Sequence, residues 1–416
     1  MAKKIVFCAD GTWNGPAERT GASVIDGDDE HGELMCSSVT NVVKLFGNLA
    51  GRVTTDTLAL RNEQEKVLLN PDGSVAQVGK YLHGVGDSSN FLIRLLGGTL
   101  GVGIISRIVR GYTFISRHYT PGDEIHIVGF SRGAYTARAL AGMIARIGLL
   151  NPHSYDANDK KQAYQLGVAA WCKSKGVTLH GAGKLSVLAT RFLDFVQGFY
   201  AEQLHDDALI PDVDIKSVAV WDTVGSMGIP VYEKDMRFDM FRFADTSLSP
   251  RVEHGFHAMA IDELRIDFPV TRWDERKGIA QVWFPGAHAD VGGGYPKAES
   301  GLSDIALTWM TEQLAAIGMA FATPLTYDPQ SEQFDQDMHE PWKNPPFSFL
   351  DTSPREVRAD DAVHESVLQR WRKVDTYRPA ALKAWAKQRD LEDVEPIEAA
   401  PAALLDAAPS ELHLVH

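Results

Sequence analysis

A serine with a glycine two residues to either side, Gly129-Phe130-Ser131-Arg132-Gly133, separates the apolar run EIHIVGF (124–130) from the helical pattern RGAYTARALAGMIARIG (132–148). A strand leading directly into a helix is the setting in which such a serine becomes a nucleophile. The sharp turn strains the serine, and Gly129 and Gly133 let the two backbones approach. Ser131 Oγ is then expected above the sheet at the helix N-terminus, where the dipole favours developing negative charge. The plainer alternative is a serine capping a helix in a glycine-rich turn.

A serine at its free pKa is a poor nucleophile, so a base and an orienting acid are required. Both are expected on loops beyond later strands, in the order serine, acid, histidine. Asp222 follows the apolar run IKSVAVW (215–221), just before a loop with glycine. His288 stands four residues beyond IAQVWF (279–284), in the glycine-rich stretch PGAHADVGGGY. The plainer readings are an aspartate closing a turn and a loop histidine. Asp290 is the rival acid, either holding the imidazole or bonding loop backbone. His254 and His257, in RVEHGFHAMAIDELR (251–265), are rival bases, but that segment reads as helix and suggests a packed role.

Two backbone N–H donors must face the carbonyl oxygen as it becomes tetrahedral. One is expected from Arg132, directly after the nucleophile. The other is expected from ADGTWN after the first strand, with Gly11 or Thr12 as donor and Asp10 organising the loop through its own amides. A purely structural strand-end turn is the alternative. The same opening, KKIVFCADGTWN, is similar to the start of haloacid-dehalogenase phosphatases. In this chain, however, Cys8 stands where those enzymes have their nucleophilic aspartate, so a phosphohydrolase reading rests on this stretch alone.

Short apolar runs bounded by Gly, Asp or Pro, at 4–8, 124–130, 215–221 and 279–284, read as buried parallel strands. Helical patterns between them imply a doubly wound α/β sheet covered on both faces. The expected organisation is one catalytic domain over 1–388. It carries insertions at about 13–80, with a hairpin around NPDGS (70–74), and at about 151–214, with helices near 160–173 and 190–204. Residues 389–416 read as an acidic, Ala/Pro-rich flexible tail.

Apolar residues at 44% and charged residues at 23% are globular values. A net charge of −14 without a Lys/Arg cluster argues against nucleic acid. Three scattered cysteines, Cys8, Cys36 and Cys172, indicate neither a disulfide framework nor a zinc site. No signal peptide is visible, so cytoplasmic synthesis is expected, with export by a machine that reads no N-terminal signal still open. The stretch LIRLLGGTLGVGIISRIV (92–109), broken by arginines, reads as a buried glycine-packed helix, an acyl-pocket lining or a bilayer contact.

The order of FCADGTWN, TNVVKLF (40–46), YLHGVGD (81–87), IVGFSRGAYTARALAGMI, VWDTVGSMG, WFPGAHADVGGGY and HESVLQRW (364–371) resembles the catalytic domain of type VI secretion phospholipase effectors. The resemblance runs over roughly 1–380. It implies an α/β-hydrolase-like, mostly parallel sheet with helical and loop insertions, and a Ser-Asp-His esterase site. Matched motif by motif, it points to Ser131, His288 and Asp222.

A serine hydrolase of carboxylic acyl esters is therefore expected, with lipid or phospholipid esters favoured and transient membrane contact compatible. A housekeeping esterase of small esters or an inert hydrolase-like binding scaffold are the alternatives. No cofactor or metal is required, although Asp10, Asp222 and Asp290 leave a Ca²⁺-type site open. Oligomeric state is not legible.

Overall fold

The computed structural model describes residues 2–11, 39–58, 60, 63–84, 100–156, 159–175, 204–224, 247–327, 333–345, 347–389 and 414–415. Its centre is a mixed, mostly parallel sheet. The strands are β1 (Lys4–Ala9), β2 (Arg52–Val53), β3 (Glu63–Leu69), β4 (Val75–Leu82), β5 (Glu124–Phe130), β8 (Ile215–Trp221), β9 (Val252–Ala260), β10 (Ile279–Phe284), β11 (Ala362–His364) and β12 (Leu414–Val415). They lie in the order β12-β11-β10-β9-β8-β5-β1-β4-β3-β2. A separate ribbon joins β6 (Leu149–Leu150) and β7 (Leu209–Ile210).

The sheet is buried on both faces because alternate residues of the central strands feed two cores. Ile5, Phe7 and Ala9 pack on one side, with α2 (Leu100–His118), α3 (Arg132–Ile147) and α4 (Lys160–Ser174). Val6 and Cys8 pack on the other, with α1 (Asn41–Asn48) and α6 (Gly301–Ala316). Between β10 and α6 lies the short α5 (His288–Gly292); α7 (Glu365–Lys373) and α8 (Ala380–Gln388) complete the described helices. Ala9 is level with Gly129, Phe130 with Trp221, and Trp221 with Ala258. Parallel register therefore brings Asp10, Ser131 and Asp222 out at one end of the sheet.

Several expectations meet the structure differently. Residues 252–260 form central strand β9, not a helix. Flanked by β8 and β10 and buried on both faces, the strand loses the polar alternation that would have marked it. Within 13–80, residues 13–38, 59, 61 and 62 lie outside the described residues. The NPDGS hairpin is present, and β3 and β4 extend the main sheet, β4 pairing with β1. Most of the tail and the helix expected near 190–204 also lie outside the described residues, while Leu414–Val415 pair with β11. The described half of 92–109 is helix, with Ile105, Ile108 and Val109 in the core. Cys8 and Cys172 are free and buried. No helix among the described residues is long and apolar enough to cross a membrane.

Candidate active site

Ser131 sits between β5 and α3 at φ 55, ψ −121, in a region that non-glycine residues rarely occupy. Its amide donates to Trp221 O at 3.2 Å, and its carbonyl accepts from Tyr135 N at 3.2 Å. The two glycines have a steric reason. A β-carbon at Gly129 would fall onto the Gly133 carbonyl, and one at Gly133 onto the Ala9 carbonyl. Gly133→Ala is accordingly expected to cost about 3 kcal/mol or more, since backbone rather than a flexible side chain must yield. Denaturant titration checks this, and an unchanged midpoint would contradict it.

Asp222, fully buried at the end of β8, meets His288 beyond β10: Oδ2 lies 2.5 Å from Nδ1. The Asp222 carboxylate also accepts from Ala260 N at 3.0 Å and from both Arg355 nitrogens, Nη1 to Oδ1 at 2.5 Å and Nη2 to Oδ2 at 3.0 Å. Burial alone would raise its pKa. The Arg355 charge and the His288 contact more than offset that, holding Asp222 well below the usual carboxylate range. With the Nδ1 proton assigned to the Asp222 contact, Nε2 of His288 is left as the acceptor.

The His288 ring lies against Phe130, centroids 4.6 Å apart, and edge-on to Phe268 at 5.2 Å. Burial in this aromatic setting keeps its pKa below the ordinary 6.5, with Asp222 opposing the shift. A neutral imidazole is therefore available at neutral pH.

The family model described as T6SS, phospholipase effector Tle1-like, catalytic domain, matches residues 3–313. The chain belongs to this family. Among curated proteins, the uncharacterized protein YEL023C of Saccharomyces cerevisiae is 29% identical over 249 residues, covering 56% of this chain and 32% of that protein. An uncharacterized protein from Pseudomonas aeruginosa is a structural neighbour at TM-score 0.36 and 16% identity, covering 77% of this chain and 46% of the other. A Tle1 effector bound to the VgrG spike of a type VI secretion system aligns at TM-score 0.35 and 19% identity, covering 73% and 53%. The chain thus spans about a third of the yeast protein and about half of each neighbouring structure.

Within this Tle1-like domain, the loop after β1 reaches the serine: a β-carbon on Gly11 would stand 3.5 Å from Ser131 Cβ. The Gly11 amide, however, is held by Asp10 Oδ1 at 2.6 Å. Thr12 lies outside the described residues. Asp10 also accepts from Thr40 Oγ1 at 2.8 Å and Tyr81 OH at 2.7 Å. Burial still pushes its pKa up to about 6. Cys8 lies fully buried within the strand, where desolvation pushes the thiol up and leaves it inert.

Asp290 does not contact the His288 imidazole in this arrangement; it bonds Ala287 N at 2.9 Å and His339. Asp10, Asp222 and Asp290 do not converge on a common point. Among the described residues, the one carboxylate cluster with cation spacing is Glu275, Asp360 and Asp361, at the amino end of β11. His257, fully buried in β9, accepts from Thr223 N at 3.1 Å, and His254 lies 3.0 Å from Glu253. Arg355 escaped the sequence reading. It lies in a Pro-rich loop with no motif around it, and only its 133-residue reach to Asp222 marks it.

Proposed function

We propose that this chain is a serine hydrolase of carboxylic acyl esters, built on an α/β-hydrolase-like doubly wound sheet, with lipid acyl esters as the favoured class. The observation carrying this reading is the buried Asp222–His288 contact at the same sheet end as the strained Ser131. His288 Nε2 removes the Ser131 proton as Oγ attacks the acyl carbonyl, and Asp222 stabilises the resulting imidazolium. The amide of Arg132, the residue directly after the nucleophile, is assigned to the developing oxyanion. The second donor is assigned to the loop at 10–12. Because Asp10 engages the Gly11 amide, Thr12 is the residue left for that role, on sequence grounds. His288 then returns the proton to the leaving alcohol, and water, activated by the same base, releases the acid. None of these steps uses a metal.

An apolar rim supports the lipid class. From His288, ring contacts lead through half-buried Phe268 to buried Phe347, the last two centroids 5.7 Å apart. In the same two loops Phe349, Leu350 and Ile266 are 83%, 42% and 56% exposed. The Arg265–Thr352 bridge holds the two loops side by side. Phe349→Asp, at so exposed a position, is expected to leave hydrolysis of soluble p-nitrophenyl butyrate unchanged. Turnover of phospholipid vesicles should fall about tenfold, the scale of losing one buried aromatic side chain from the lipid surface. Equal loss on both substrates would contradict an interfacial role. The family's tie to type VI secretion supports delivery by a secretion system.

The reading is tested by chain-length-resolved hydrolysis of p-nitrophenyl esters and phospholipids, together with fluorophosphonate labelling. Labelling at Ser131 and Ser131-dependent turnover are expected. A protein inert to both would be a scaffold instead.

A further inference from the structure

The peptide that carries His288 is shaped by Asp290. Gly286 adopts φ 103, and a β-carbon there would fall onto the Asp290 side chain. Asp290, 2% exposed, accepts at Oδ2 from Ala287 N at 2.9 Å and from His339 N at 3.1 Å. The His339 ring completes the enclosure. Its Nδ1 lies 2.6 Å from Asp290 Oδ1, and its Nε2 lies 3.0 Å from Glu299 Oε2. Tyr295 stacks on it, centroids 3.4 Å apart and planes within 8°. An imidazole whose two nitrogens each face a carboxylate oxygen satisfies both only as the imidazolium; in the neutral ring one lone pair would face an anion.

We propose that His339, as a cation clamped between Asp290 and Glu299, is a positioning residue that holds the His288 loop in place for catalysis. The inference rests on reading His288 as the general base. His339 itself touches neither His288 nor Ser131 and acts through Asp290. The groups facing it are Asp290 from α5, Glu299 from the turn at Lys297–Glu299 and Tyr295 between them. Glu263 and Arg265 act beyond Tyr295, and Asp337 and Glu340 flank His339 along its own chain.

Burial disfavours the charged ring, but the two carboxylates outweigh it, so the His339 pKa stands above the ordinary 6.5. A raised histidine pKa means the clamp is complete below 6.5 and is lost as pH rises through the raised value. His288 titrates on the other side, its pKa being lowered. The pH profile should therefore be a bell, with its acid limb from His288 and its alkaline limb from His339.

The test combines kinetics with two readouts that need no turnover. Profiles of kcat and KM against pH are measured for wild type, His339→Gln and His339→Arg on p-nitrophenyl butyrate. The His339 ring is titrated by NMR in wild type and in Ser131→Ala, and exchange of the Ala287 and His288 amides, corrected for intrinsic rate, is followed with pH. Wild type should show a His339 midpoint above 6.5, with faster amide exchange and falling kcat above it. Below the wild-type midpoint His339→Gln should lower kcat about tenfold with KM little changed, the scale of a misplaced base; above it wild type should converge on the variant, whose exchange is fast throughout. His339→Arg, permanently charged and able to bridge two carboxylates, should restore kcat and abolish the alkaline limb. A midpoint at or below 6.5, or a His339→Gln variant with wild-type kcat, limb and exchange, overturns the proposal. A midpoint and exchange as expected in a protein without Ser131-dependent turnover would leave the loop clamp standing and remove the hydrolase reading.

Discussion

Ser131→Ala is expected to lower kcat for ester hydrolysis by at least about 10⁴-fold, because in the proposed serine mechanism the nucleophile has no substitute while the oxyanion donors and binding surface remain. KM should change little, since Oγ contributes to bond making rather than to ground-state binding. The loss cannot be ascribed to unfolding. Ser131 is half-buried, alanine tolerates φ 55 no worse than serine does, and stability should shift by less than about 1 kcal/mol. Ser131→Gly provides an internal check on the strain. Glycine adopts positive φ freely, so this variant should be equally inactive yet match or exceed wild type in stability. Active-site titration with a fluorophosphonate, kcat on a soluble ester and denaturant unfolding together decide the matter. A Ser131→Ala protein retaining full turnover would rule out the serine mechanism.

Arg355→Met is expected to cost about 3 kcal/mol of stability and about 100-fold in kcat. Asp222 is fully buried and carries a full charge, so removing the forked guanidinium leaves a buried anion short of partners. Arg355 also holds Ala260 O at 2.7 Å and Phe268 O at 2.8 Å, so the ring that borders His288 loses an anchor.

The electrostatic consequence has a definite sign. With the cation gone, Asp222 attracts the imidazolium more strongly, His288 holds its proton to higher pH, and the acid limb of kcat/KM moves upward. Asp222 is depressed in the folded protein, so its stabilisation is present above the ordinary value of 3.8 and lost as pH falls through the depressed one. Arg355→Met should therefore also unfold in acid at higher pH than wild type. Lysine at 355 returns the charge but not the fork, and should recover the pH limb better than the stability. An unchanged acid limb in Arg355→Met would show that the guanidinium is packing rather than tuning.

How far the site was legible depends on the range of the forces involved. Ser131 could be read because its requirements are local. A strand period, a helix period and two glycines that must lack β-carbons all lie within a few residues of it. Asp222 and His288 were legible as polar residues just past apolar runs. Parallel register then carries those strand ends to one edge of the sheet. Strand β9 was misread for the converse reason. Its residues 252–260 are buried from both sides, so neither a period of two nor one of 3.6 survives. The β3–β4 pair reads as an insertion in the sequence, because its partly exposed edge makes a sheet segment look polar.

The sequence by itself determined the strained serine turn, the strand-to-helix alternation and the candidates for acid and base, since short-range sterics and side-chain patterning suffice for these. Only the tertiary structure decided which carboxylate meets His288. The sequence favours Asp222 and leaves Asp290 as its rival, and a contact across 66 residues joins His288 to the first. It also decided that Arg355 forks onto Asp222 and that His339 bridges Asp290 and Glu299. Such pairings form where loops from distant strands pack out water, and charge strength there is set by burial and neighbours rather than by residue type.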